Sequence, residues 1–303
     1  MDHLTPLSGP LSAGPPVLAL EGVVVSRSGR TVLRDVDLDV QAGEFIGVIG
    51  ANGAGKTTLL RVILGLLPVD SGRVSVLGRP IRRGNRFVGY VPQKARLDPD
   101  TPLRGRDLVA LGIDGERWGL PLPTKGRRAR VDEALHAVDA LAYADAPVGR
   151  LSGGEQQRLF IAQALLTDPR ILLLDEPLSN LDLRSAGEVV QLVARVGRER
   201  GVAVLLVAHD MNPLLPVMDR VLYLAEGRSA IGPVDDVVQG DVLAQLYGYP
   251  VDVLRVRGRV IVVAGDGIVG AGGPCETGDC GEAAPPALPA LSARTLFGDG
   301  ARR

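Results

Sequence analysis

Phe45-Ile46-Gly47-Val48-Ile49 is a short, almost wholly apolar run, and the chain passes from it directly into Gly50-Ala51-Asn52-Gly53-Ala54-Gly55-Lys56-Thr57. Such a run has the length of a strand buried on both faces. The stretch from Lys56 to Leu67 then carries the apolar content of a helix. Strand, glycine loop and helix in that order commit this part of the chain to an α/β arrangement. The eight loop residues fit the phosphate-loop pattern at every required place. Glycines let the backbone curl until several N–H groups face phosphate oxygens, and the helix behind adds its positive end. Lys56 contributes a point charge and the Thr57 hydroxyl a ligand for Mg2+. Gly50, Asn52, Gly53, Ala54, Gly55, Lys56, Thr57 and Thr58 are thus the candidate nucleotide contacts. Lysine occurs only at Lys56, Lys94 and Lys125 among 34 basic residues, so an accidental lysine at this place is disfavoured. The loop alone fits hydrolases and kinases equally.

A second buried run, Ile171-Leu172-Leu173-Leu174, ends on Asp175-Glu176. A strand end presents Asp175 toward a magnesium shell, and Glu176 can polarise a water in line with a γ-phosphate. That pair favours hydrolysis over transfer to an acceptor. Gln93, after Phe87 to Pro92, is a candidate water or metal contact. Leu151-Ser152-Gly153-Gly154-Glu155 begins with a capping box, which by itself makes only a sound helix start. Consecutive glycines at a helix N-terminus also make an anion-binding surface. Two phosphate-directed sites with one evident ATP are reconciled if the second serves a partner molecule's nucleotide.

Around these motifs, Val17 to Val25 and Val32 to Val40 read as an antiparallel pair, with Leu33, Val36, Leu38 and Val40 facing inward. Gly72 to Leu77 and Phe87 to Val91 are further strands. Helices are expected at Arg104 to Leu111, Arg128 to Ala142 and Ser152 to Thr167, where Asp168-Pro169 stops the chain. The α/β alternation resumes with helix Ser185 to Arg200, strand Ala203 to Val207 and strand Arg220 to Leu224. Turn and helix candidates fill Val234 to Leu246, and a hairpin around Gly258 ends the folded part.

With these motifs in order, the sequence resembles the nucleotide-binding subunit of an ATP-binding cassette transporter over roughly residues 17 to 250. The resemblance implies a P-loop NTPase core with an antiparallel β layer and a helical subdomain. The ATPase domain would span 17–264, with the helical subdomain inserted at about 94–167. It implies that Ser152, Gly153, Gly154 and Glu155 form a signature loop closing over ATP held by a second copy in a head-to-tail dimer. Asp182, in Ser179-Asn180-Leu181-Asp182, would lie in the loop through which the two sites communicate. His209 would be the histidine that contacts the γ-phosphate and orients Glu176. The aromatic platform under adenine is replaced near Ser26-Arg27-Ser28, where the Arg27 guanidinium can stack instead. ATP and Mg2+ follow as cofactors, an integral-membrane permease as partner, and an extracytoplasmic solute-binding protein as indirect partner if the system imports. His209-Asp210-Met211-Asn212-Pro213, Leu214 to Arg220 and Leu246 to Val251 are most similar to the zinc and manganese uptake branch. Iron-chelate or other small-solute importers and drug exporters remain alternatives. A soluble relative acting on ribosomes or DNA is remoter, because neither a second cassette nor a long coiled-coil insertion is present.

With 34 basic and 35 acidic residues, the chain offers no charge argument for a nucleic-acid partner. No run reaches the ~18 apolar residues of a spanning helix. Residues 1–16, interrupted by Pro6, Pro10, Pro15 and Pro16, read as a flexible leader without a secretory signal. The expectation is a cytoplasmic protein, peripheral on the inner face of the membrane through its permease. From 265 to 303 a Gly, Pro and Ala rich tail is expected, carrying Cys275 and Cys280. Two thiolates with intervening carboxylates could hold zinc but would need further ligands.

Overall fold

Alternating burial fixes the first layer. Strand β1 (Leu18–Arg27) and β2 (Arg30–Val40) pair antiparallel from Leu18↔Val40 to Arg27↔Arg30, joined by a turn with left-handed Ser28 and Gly29. Leu33, Val36, Leu38 and Val40 are all buried, as their spacing requires. The chain continues through β3 (Phe45–Gly50), helix α1 (Lys56–Ile63), β4 (Ser71–Val76), β5 (Arg79–Pro80) and β6 (Val88–Val91). Then follow α2 (Gly105–Asp114), α3 (Lys125–Ala137), α4 (Gly153–Leu165), β7 (Ile171–Asp175), α5 (Leu183–Arg200), β8 (Ala203–Ala208) and β9 (Arg220–Ala225). The last elements are β10 (Arg228–Gly232), α6 (Val234–Val237), α7 (Gly240–Tyr247), β11 (Val251–Val256) and β12 (Arg259–Ala264). This computed structural model describes residues 14–93, 100–114 and 125–264. The expected leader before residue 14, the Trp118 region and the tail with Cys275 and Cys280 lie outside the described residues.

Among the described residues three sheets result, with orders β2-β1-β4-β5, β10-β9-β3-β8-β7-β6 and β11-β12. In the central sheet β6, β7, β8, β3 and β9 run parallel, and β10 returns antiparallel to β9. Its inner strands β3, β7, β8 and β9 are apolar on both faces, and both faces are covered. Ile46, Val48, Leu173, Leu205 and Leu222 join the antiparallel layer and α1, while Ile49, Leu172, Leu206 and Tyr223 join the helical side. The parallel strands therefore deliver their C-terminal ends to one edge of the sheet, where ligands of such folds bind.

Some boundaries differ from expectation for physical reasons. Helix α1 stops at Ile63 rather than Leu67, because Gly65 takes φ 66° and a Cβ there would stand 2.6 Å from the Arg83 nitrogen. Helix α3 ends at Ala137, and left-handed Asp139 (φ 57°) separates it from a short 3-10 turn at Leu141–Tyr143. Strand β10 had no sequence signal strong enough to be placed, as it is a half-buried edge strand. Among the described residues no helix is long and apolar enough to cross a membrane.

Candidate functional site

The glycine loop leaves the end of β3, and its glycines are required for different reasons. A Cβ on Gly50 (φ 158°) would lie 2.2 Å from the Leu224 carbonyl oxygen, so the neighbouring strand excludes one. Gly55 (φ 105°) would meet Leu33 Cδ2 at 2.9 Å and the Val32 oxygen at 3.0 Å. Gly53 (φ 80°) faces open space, so there only backbone conformation demands glycine. Lys56 is buried and its Nζ donates to the carbonyl oxygens of Gly50 at 2.7 Å and Ala51 at 2.9 Å. The ammonium is thereby held inside the curl of the loop. Burial pulls its pKa below the usual lysine value, opposed by the charges of Glu176 and Asp175. Thr57 is exposed and Thr58 half-buried at the start of α1, where no side chain caps the helix.

Strand β7 brings Asp175 to the same edge, paired in register with Val207 of β8. Asp175 is buried, and the Tyr90 hydroxyl of β6 donates to its Oδ2 at 3.4 Å. Oδ1 is buried and lacks a hydrogen-bond partner among the described residues. Desolvation, followed by the neighbouring charge of Glu176, raises the pKa of this carboxyl. A buried carboxylate oxygen with no donor suits a hard divalent cation held by oxygen ligands, so the site fits Mg2+.

Glu176 turns the chain with φ 49°, and its N–H bonds the Val207 oxygen at 3.2 Å. Its carboxylate receives neighbours from both adjacent strands. His209 Nε2, just after β8, lies 2.7 Å from Oε1, and Gln93 Nε2, just after β6, donates to Oε2. Residues 33 and 83 positions away in sequence thus converge on one carboxylate, as the strand order places β7 between β6 and β8.

The second anion-directed segment lies apart. Ser152 caps α4, with the Glu155 N–H bonding its Oγ at 3.3 Å and Glu155 Oε2 accepting from the Ser152 N–H at 2.8 Å. A Cβ on Gly153 would lie 3.1 Å from Leu181 Cδ2, and one on Gly154 3.5 Å from Ser185 Cβ. The segment therefore packs beside Asp182, the N-cap of α5, whose carboxylate accepts from the Ser185 N–H at 2.9 Å and Oγ at 2.8 Å. Those bonds hold the Asp182 pKa below the usual value. Among the described residues, no hydrogen bond or ion pair joins Ser152–Glu155 to the Gly50–Thr58 loop. Arg27 ends β1 at the surface, in register with Arg30.

Sequence reasoning missed two residues here. Tyr90 carries no motif; only its place in β6, in register with Leu173, puts it beside Asp175. Gln156 is buried and its Nε2 donates to the oxygens of Val148 at 3.0 Å and Leu151 at 3.1 Å, pinning the approach to Ser152. A glutamine on the first turn of a strongly capped helix was the available signal.

A family model described as ABC transporter matches residues 33–179. The chain is 36% identical over 238 residues to the zinc transport system ATP-binding protein TroB of Treponema pallidum, covering 78% of this chain and 89% of that protein. It is 37% identical over 229 residues to the manganese transport system ATP-binding protein MntB of Bacillus subtilis, covering 76% and 91%. Among solved structures, cbiO1 of Clostridium perfringens, part of an ABC transporter complex, superposes with TM-score 0.66 at 27% identity over 77% of this chain and 94% of that one. A putative metal-chelate type ABC transporter in an inward-facing conformation shares the fold with TM-score 0.68 at 22% identity, covering 82% and 96%.

Proposed function

The chain belongs to the ABC transporter family as an ATP-binding subunit, and from that premise we propose that it hydrolyses ATP between two head-to-tail copies to drive a separate permease importing zinc or manganese. The observation that carries the hydrolytic part is the convergence of His209 and Gln93 on the two oxygens of Glu176, beside the loop that holds Lys56.

In this reading the amides of Gly50 to Thr58 and the Lys56 ammonium bind the phosphates of the substrate ATP. Lys56 exchanges its bonds to the Gly50 and Ala51 carbonyls for phosphate oxygens. Thr57, Asp175 and Gln93 would hold Mg2+, which when bound neutralises charge on the phosphate oxygens. Glu176 accepts a proton from the attacking water, and His209 keeps one carboxylate oxygen oriented while that proton moves. Ser152, Gly153, Gly154 and Glu155 of the second copy complete the far side of the γ-phosphate, with Asp182 between the two sites. Arg27 supplies the plane under adenine. The protein then works at the inner face of the membrane through its permease.

The metal is argued from the relatives named as zinc and manganese transport ATP-binding proteins, which this chain matches over three quarters of its length. In metal-starved cells lacking the gene, the wild type restores accumulation of zinc or manganese. Glu176→Gln does not, although the purified variant binds ATP and loses about 100-fold or more of its turnover. Unchanged accumulation of both metals in the gene-less cells would overturn the cargo, and normal turnover by the variant would overturn the role of Glu176.

A further inference from the structure

Strands β11 and β12 form a separate two-stranded sheet, and such a ribbon needs outside support to hold its place. One support is the Arg255–Asp235 ion pair at 2.9 Å. Val251 and Val260 are also buried in the main apolar cluster, and a further polar support is Asn212. Its Nδ2 donates to the Val260 oxygen at 3.0 Å, and its Oδ1 accepts from the Val260 N–H at 2.8 Å. Register explains why one residue offers both groups. Val256↔Arg259 closes the two-residue turn, so the next pair, Arg255↔Val260, is the one whose N–H and C=O point away from the partner strand. Asn212 fills that position as a further rung of the ladder would.

The same side chain reaches toward the nucleotide site. Asp210 Oδ1 accepts from the Asn212 N–H at 2.9 Å and from Nδ2 at 2.7 Å, which closes the turn immediately after His209. Val260 and Val262 also face His209, Asn52 and Met211 across a cavity of about 310 Å³. Between the hairpin and the histidine loop, the described hydrogen bonds all pass through Asn212.

We propose that Asn212 is a positioning residue for hydrolysis, transmitting the seating of the β11–β12 hairpin through Asp210 to His209 and so to Glu176. The inference rests on the reading of His209 and Glu176 given above. It makes the C-terminal hairpin part of the ATPase machinery, although none of its residues touches the phosphate loop through a described hydrogen bond.

Steady-state ATP turnover of the purified full-length protein tests it with Asn212→Ala, His209→Ala and their combination. Asn212→Ala is expected to lower kcat about tenfold with the KM for ATP within twofold, because the phosphate contacts are untouched. Added to His209→Ala, it changes kcat less than twofold, since the path it acts on is already cut. Val260→Pro attacks the contact from the hairpin side, removing the donated N–H at a position where proline breaks no bond of the β11–β12 ladder. It is expected to reproduce the kcat loss even where Asn212→Ala folds poorly. Wild-type kcat in Asn212→Ala and Val260→Pro, or an equal loss with and without His209, overturns the inference while leaving the role of His209 standing. Wild-type turnover in His209→Ala overturns both.

Discussion

Glu44 stands at the foot of β3, fully buried, with the Gln41 N–H donating to it at 2.8 Å and Arg220 Nη1 at 3.1 Å. Desolvation outweighs these partners, so its pKa lies above the usual glutamate value. The folded state then holds the proton more tightly than the unfolded chain. Glu44's contribution to stability is complete below about pH 4 and declines as pH rises through its raised pKa. Arg220 limits that decline. Arg220→Met is expected to cost about 3 kcal/mol near neutral pH, where it strands a buried carboxylate, and much less near pH 4. Urea unfolding at the two pH values reads the difference, and an equal loss at both would refute it. Residues of this kind were illegible in the sequence. Glu44 and Arg220 lie 176 positions apart, Tyr90 and Asp175 85, and Asn212 and Val260 48, so only the folded sheet makes them neighbours. The phosphate loop, Asp175 and Glu176 were legible because a strand end and a loop geometry are written in consecutive residues. The roles proposed for His209 and Gln93 lean on the family resemblance, and their meeting at Glu176 on the strand order.

At the scale of elements, helices α4 and α5 begin side by side, each with its own polar cap, and Gly153 leaves room for Leu181 just before α5. Ser152→Arg removes the α4 cap, costing about 1 kcal/mol, and sets a long cation where a second copy's nucleotide would dock. The expected outcome is unchanged ATP binding by the monomer and no ATP-induced dimer in light scattering; wild-type dimerisation would count against the shared site. Periodicity located α4 and α5 well, since both have strong caps and apolar faces. It overran α1 and α3: Gly65 is a helix-stopping signal that the apolar run to Leu67 masked, whereas left-handed Asp139 carries no comparable local signal.

Across the whole molecule, the helical part is joined to the core by more than its connections. Val109, Leu135 and Leu159 share one apolar cluster with Leu172, Val193 and Leu206. Asp139 pairs across the junction with Arg195 at 2.6 Å and Arg158 with Glu188 at 3.5 Å, but exposed pairs add little beside a continuous core. Calorimetry of the nucleotide-free protein should therefore give one cooperative unfolding transition, and two separated transitions would show that the helices fold as an independent unit. The position of β3 between β8 and β9 has a consequence for the chain as it leaves the ribosome. Residues 50–58 are synthesised early, yet both strands that flank their base come from residues 203–225. The loop's strand therefore gains its two sheet neighbours only after residue 225 has been made. A chain ending before residue 203 carries the full phosphate-loop sequence without either strand that flanks its base, and is expected in limited proteolysis to be cleaved rapidly whether or not ATP is present.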